Sequence, residues 1–283
     1  MTTHGVAAHG GQPREGSPSA GPAGAAPAAR SPLRAVAVPT EHGGWALTAE
    51  PALLGLLVAP TLAGLALAVA AVAAFVARTP LKVVLVDRWR GRWLDRSGLA
   101  LRVLAVESAL IVALLAAAWR AADHPFWLPL AIAAPLVVLE LWFDMRSRSR
   151  RLLPELAGTV GIGSVAAAIA FAGGEAARVA WGLWAVVAAR GGMAVPYART
   201  QVLRLHGRPA PGWHSDLAQG VGLAAAAVGW WLGAVPTAAL AAIAVVAATN
   251  LAMVRGQPKP AKVIGLQQTA FGLAVIAITA IAV

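Results

Sequence analysis

Nine apolar blocks follow one another along the chain, separated by short polar or basic stretches, and each reads as a membrane-spanning helix. They run from Gly44 to Pro60, Leu62 to Ala77, Gly98 to Trp119, Pro125 to Phe143, Leu153 to Phe171, Ala176 to Met193, Leu217 to Leu232, Val235 to Val254 and Val263 to Val283. The pattern predicts an all-α, polytopic membrane helix bundle of about nine transmembrane helices. The first two blocks are shorter than the ~20 residues a full span needs, so Glu41 and Glu50 are expected near or inside the first helix. Residues 1–40 are rich in Gly, Pro, Ala and Ser and show no periodic apolar face. That stretch is expected to be a disordered cytoplasmic tail rather than a signal peptide, leaving 41–283 as the integral membrane domain.

Composition agrees with the membrane reading: 59% of the 283 residues are hydrophobic and 12% are charged, with a mean hydropathy of +0.70. The net charge of +11 sits in clusters between apolar blocks instead of on a free-standing basic face, so no nucleic-acid partner is expected. The richest cluster runs from Arg78 to Arg102 and carries seven Lys and Arg. With the amino terminus inside, 21 of the 23 Lys and Arg fall in cytoplasmic segments, Arg190 among them, and Arg120 and Arg178 fall outside. This predicts a multi-pass membrane protein with its carboxyl end outside. The tryptophans cluster near block ends, where indole rings anchor at the headgroup level. The chain has no cysteine, which excludes disulfides, thiolate metal sites and cysteine nucleophiles. No Walker loop, HExxH or GxSxG motif occurs.

The candidate chemistry gathers on the basic side. Between the second and third blocks, Pro80 predicts a break after Arg78, followed by a basic loop or a short helix on the inner leaflet. Arg78 and Lys82 there, with Arg146, Arg199, Asn250 and Lys262 from later connections, are candidates for binding an anionic substrate. In the TEHGGWALTAEP stretch, His42 beside Glu41 can act as a base or a metal ligand, or the stretch serves in capping and at the interface, with Thr40 as the helix cap. Glu50 lies within an apolar block and therefore needs a compensating partner or a polar pocket. Glu140 and Asp144, at i and i+4, share a helix face and either contact Mg²⁺ or pair with nearby arginines. Glu107, near mid-span, is a proton-transfer group or a buried packing polar.

EHGGW at 41–45, ARTPLK at 77–82 and RRLLPELAG at 150–158 together resemble the YwiC-like family of bacterial integral membrane proteins, over most of the chain after Pro39. The nine-span plan and the polar inner loops are similar to the UbiA superfamily of intramembrane prenyltransferases, as are RRLLPELAG and KPAKVIGLQQ. That resemblance implies transfer of an isoprenoid from its diphosphate, with Mg²⁺ as cofactor on aspartate-rich motifs. The first motif region here reads FVARTPLKVVLVDRWRGRWLD and holds only Asp87 and Asp95, while the second holds only Asp216. Asp87 and Asp216 by this comparison, with Glu140 and Asp144 from their shared helix face, are the candidate metal ligands. Glu41, His42, Glu50 and Asp87 are the candidate catalytic residues.

Three roles follow from these residues. One is a prenyltransferase-like protein binding an isoprenoid diphosphate at its cytoplasmic face. Another is a small-molecule transporter with Glu50, Glu107 and Glu140 along its pathway. The third is a noncatalytic protein that holds a lipid-like ligand on a transferase-like scaffold. The lipid bilayer is the expected partner of all three.

Overall fold

The computed structural model describes residues 32–37, 39, 42–148 and 151–283. Its helices are α1 (Pro32–Ala37), α2 (His42–Val58), α3 (Leu62–Trp89), α4 (Asp95–Ala121), α5 (Trp127–Met145), α6 (Leu152–Ala172), α7 (Ala177–Leu205), α8 (Trp213–Trp231), α9 (Thr237–Met253) and α10 (Ala261–Ala282). Among the described residues, α2 to α10 correspond one for one to the nine apolar blocks, and the chain is an all-α polytopic membrane bundle. Six of them, α3 to α7 and α10, are long and apolar enough to cross a membrane by length and composition. Within the segment expected to be a tail, α1 is helical and Val36 is buried where α1 meets α3 and α4. The rest of the tail, apart from Pro39, lies outside the described residues.

Two helices run well past their apolar blocks. α3 continues from Ala77 to Trp89 with Pro80 inside it, so the expected break at Arg78 is absent. α7 continues from Met193 to Leu205 with Pro196 inside it and takes up Tyr197, Arg199 and Arg204, which had read as loop. Proline is tolerated in such helices because neighbouring helices take up the backbone groups it frees. The amino end of α3 is closed by Thr61, whose hydroxyl accepts from the Gly64 amide at 3.0 Å.

α6 and α7 form the centre of the bundle. α6 packs on α2, α3, α5 and α7, and α7 packs also on α2, α8, α9 and α10. Small residues make this possible: Ala166 to Ala168 and Ala170 on α6 are all buried. α4 and α5 are peripheral and turn apolar side chains such as Val106, Val112, Ile132 and Val138 outward. The connections after α3, α5, α7 and α9 form the basic end of the bundle. Arg90 donates to Ser147 at 3.0 Å between the first two of these connections, and Arg204 donates to the Val254 carbonyl near the other two. At the opposite end, the Asp123 amide donates to the Ala172 carbonyl at 2.9 Å.

Candidate functional site

The extended part of α3 builds the basic site. Residues 78, 82, 86 and 90 recur every fourth position and so form one stripe of the helix. Arg78, Lys82, Val86 and Arg90 accordingly line one cavity of ≈ 360 Å³, with Phe75, Thr79 and Val83 beside them. Pro39, Arg96 at the start of α4 and Ser147 in the α5–α6 turn complete the wall around the Asp87 carboxylate. The cavity is therefore cationic with an apolar side.

Two carboxylates on α5 hold this cationic row in place. Arg78 contacts Glu140 Oε1 through Nη1 at 2.8 Å and donates from Nε to Asp144 Oδ2 at 2.8 Å, while Lys82 Nζ lies 3.3 Å from Asp144 Oδ1. Asp144 is fully buried, so it relies on these cations to offset the lost hydration. Glu140 reaches Arg78 by lying across α6 at Gly158, where a Cβ would come within 2.5 Å of its carboxylate. The i, i+4 pairing of Glu140 and Asp144 is thus realised as a shared grip on Arg78.

Asp87 performs a different task. It accepts from Arg92 Nε at 3.1 Å, Arg96 Nε at 3.1 Å, Arg96 Nη2 at 2.9 Å and Ser97 Oγ at 2.8 Å. Four donors on a fully buried carboxylate clasp the end of α3 to the start of α4. Asp216 pairs with Arg255 at 3.1 Å, joining α8 to the end of α9. The four candidate metal ligands are thus each engaged by cations, and only Glu140 and Asp144 share a partner. Among the described residues, no group of three His, Asp or Glu side chains is gathered to hold a metal ion. This donor set does not fit a carboxylate-held Mg²⁺.

The remaining candidates separate. Arg146 sits over the rings of Trp142 and Trp89, at 4.1 and 5.3 Å, in a cation–π sandwich at the basic end. Arg199 pairs with Glu155 at 3.4 Å between α7 and α6. Lys262 is exposed on the first turn of α10. Thr40 and Glu41 lie outside the described residues, and His42 opens α2. Of the carboxylates considered for a transport pathway, Glu140 is held by Arg78. Glu107 Oε2 is buried without a hydrogen-bond partner on α4, and Glu50 lies in a third environment.

Glu50 and Asn250 belong to one buried polar chain that crosses five helices. Glu50 Oε2 meets Arg190 Nη1 at 3.0 Å, with both residues 4% or less exposed. Arg190 also donates to the Gln268 carbonyl. Gln268 Nε2 donates to Asn250 Oδ1 at 3.0 Å, and Asn250 Nδ2 donates to Gln219 Oε1 at 3.2 Å. Gln219 Nε2 ends the chain on the Met193 carbonyl at 3.0 Å. Arg190, which the charge pattern had assigned to a cytoplasmic segment, is therefore an interior partner of Glu50. Gln219 and Gln268 escaped the sequence reading, although an amide side chain within an apolar block is itself a signal. Gly272 provides the space for Glu50, since a Cβ there would collide with the Glu50 carboxylate.

No curated protein and no solved structure matches the chain. The model of the YwiC-like protein family matches residues 38–170, the stretch that runs from just before α2 almost to the end of α6 and contains the α3 cationic row and its α5 carboxylates. Over that segment the chain is similar to the YwiC-like protein family.

Proposed function

We propose that the protein binds an isoprenoid diphosphate, with the diphosphate in the α3 cavity and the hydrocarbon passing along its apolar side into the bilayer. The observation that carries this reading is the cavity itself, with Arg78, Lys82 and Arg90 along one stripe that also holds Val86, and Phe75 and Val83 beside it. Its volume, ≈ 360 Å³, lies near the lower end of the ~300–1,000 Å³ common for small-molecule sites, a size suited to a headgroup and the first part of a chain. Arg78, Lys82, Arg90 and Arg96 line the cavity, and guanidinium forks match phosphate oxygens geometrically, which suits an anionic headgroup. Because the carboxylates hold arginines in place, we read the site as one that binds through guanidinium and ammonium groups. In this reading the basic end faces the cytoplasm, in keeping with the charge asymmetry of the connections, and the bundle serves as a UbiA-like scaffold.

The test is a binding titration of the purified protein with farnesyl diphosphate, farnesol and inorganic pyrophosphate. Farnesyl diphosphate is expected to bind most tightly, because it alone uses both walls of the cavity. Lys82→Gln with Arg90→Gln leaves the Arg78–Asp144 contact intact and removes two cations. At about 1.5–3 kcal/mol per charge-assisted contact, the double variant should weaken binding by at least ~10-fold. Equal affinity for farnesol and farnesyl diphosphate would sink the proposal.

A further inference from the structure

The buried polar atoms that lack a hydrogen-bond partner are unevenly distributed. Six of the eight among the described residues are Glu50 Oε1, Arg190 Nε, Gln268 Oε1, Tyr197 Oη, Gln201 Oε1 and Ser215 Oγ. All six sit on α7 or on helices packed against it, α2, α8 and α10. On α7, positions 190, 194, 197, 201 and 204 follow one another at helical spacing, so Arg190, Tyr197, Gln201 and Arg204 form one polar stripe. At the basic end of the stripe, Arg204 reaches the Ala210 and Val254 carbonyls, and Gln201 Nε2 donates to the Met253 carbonyl at 3.0 Å. One turn deeper, Tyr197 packs with Val254 and Ile264, and Gln268 follows Ile264 by one turn on α10. Ser215 likewise precedes Gln219 by one turn on α8. The stripe ends at Arg190 and Glu50.

Beyond that pair comes a layer of hydrocarbon. Leu54, one turn after Glu50, and Ile276, one turn after Gly272, belong with Val187 and Leu183 to a single buried apolar cluster. The interior of this half of the bundle is thus polar from the basic end to Glu50–Arg190 and closed by hydrocarbon on the far side.

We propose that this stripe binds a file of water molecules that hydrates the Glu50–Arg190 pair from the basic end alone. The chemistry of the orphaned atoms points to water. Arg190 Nε can only donate, Glu50 Oε1, Gln201 Oε1 and Gln268 Oε1 can only accept, and the Tyr197 and Ser215 hydroxyls do both. A water molecule donates twice and accepts as well, which suits that mixture, and buried waters typically bridge otherwise unsatisfied polar groups. A metal cation is the poorer occupant, because Arg190 already neutralises Glu50. The file gives Glu50 a route for exchanging protons with one aqueous face, and the apolar cluster blocks the route to the other.

The chain contains one tyrosine, Tyr197, and it is fully buried, so it serves as a natural probe. Hydroxyl-radical footprinting of the full-length protein in lipid nanodiscs labels side chains beside bound water even where bulk solvent does not reach. After correction for intrinsic reactivity, Tyr197 should be modified several-fold faster than the buried Phe126, Leu183 and Ile276. Protection of Tyr197 equal to theirs overturns the proposal. Modification of Leu183 and Ile276 at the Tyr197 rate overturns its one-sidedness. Ser215→Ala, which removes a hydroxyl without adding bulk, should slow Tyr197 modification while leaving the Phe126 rate unchanged. No change at Tyr197 in a folded Ser215→Ala protein counts against the water file.

Discussion

Glu50 and Arg190 show how much a single buried residue demands of the rest of the chain. A carboxylate in an apolar helix needs an opposite charge close by, and that need was legible from Glu50 alone. The identity of its partner was not, because Arg190 lies far along the chain and the charge pattern counted it among the cytoplasmic cations. Removing one member of a buried pair costs more than removing both, since the remaining charge is left uncompensated. Arg190→Gln is therefore expected to lower stability by about 3–5 kcal/mol, and Glu50→Gln in the same chain should restore part of that loss. Unfolding in detergent, followed by circular dichroism, checks both; costs of the two single variants that simply add in the double variant would show that the pair is not coupled. Asp87 is the contrasting case. It read as a catalytic or metal-binding residue because it stood in the region of an aspartate-rich motif. Its four donors come from Arg92 in the turn after α3 and from Arg96 and Ser97 in the first turn of α4, and sequence spacing alone does not reveal that the chain folds back onto it.

At the scale of the element, the helices α3 and α7 explain both the success and the failure of the sequence pattern. Apolar blocks mark where a helix is covered by lipid or by other helices, and all nine were legible on that basis. They do not mark where it ends. Past Ala77 and past Met193 the helices continue with polar and basic residues, and those extensions carry Arg78, Lys82, Tyr197 and Arg204. Pro80 had read as a break, yet packing against neighbours outweighs it, and Pro196 lies inside α7 in the same way. The α5–α6 contact gives a test of how the extended part of α3 is held. Gly158→Ala puts a methyl group within 2.5 Å of the Glu140 carboxylate, whereas a Cβ at Gly161 meets nothing closer than 3.5 Å. Overpacking of this kind costs about 1–3 kcal/mol, so Gly158→Ala should lower the melting temperature and weaken farnesyl diphosphate binding through Arg78. Gly161→Ala, on the same helix, should change neither.

The whole molecule divides into a basic end with a cavity, a polar interior that starts from the same end, and an apolar far side. The clustering of Lys and Arg in alternate connections made the first of these legible, because charge placement relative to a bilayer is written directly in the chain order. Convergence of side chains from different helices was not legible, which is why Asn250 read as a substrate contact and is instead joined to Gln219 and Gln268. Orientation is open to a direct check: a reporter active only outside the cytoplasm should work when fused after Val283 and fail when inserted at Gln257, between α9 and α10. The central claim is that the α3 cavity takes up an isoprenoid diphosphate, and the most direct measurement is photo-crosslinking with a diazirine-bearing farnesyl diphosphate, followed by mapping of the labelled peptides. Label concentrated at Phe75, Val83 and Val86, and displaced by unlabelled farnesyl diphosphate but not by farnesol, is the predicted result. Label spread over the lipid-facing sides of α4 and α10, with no competition by the diphosphate, would contradict it.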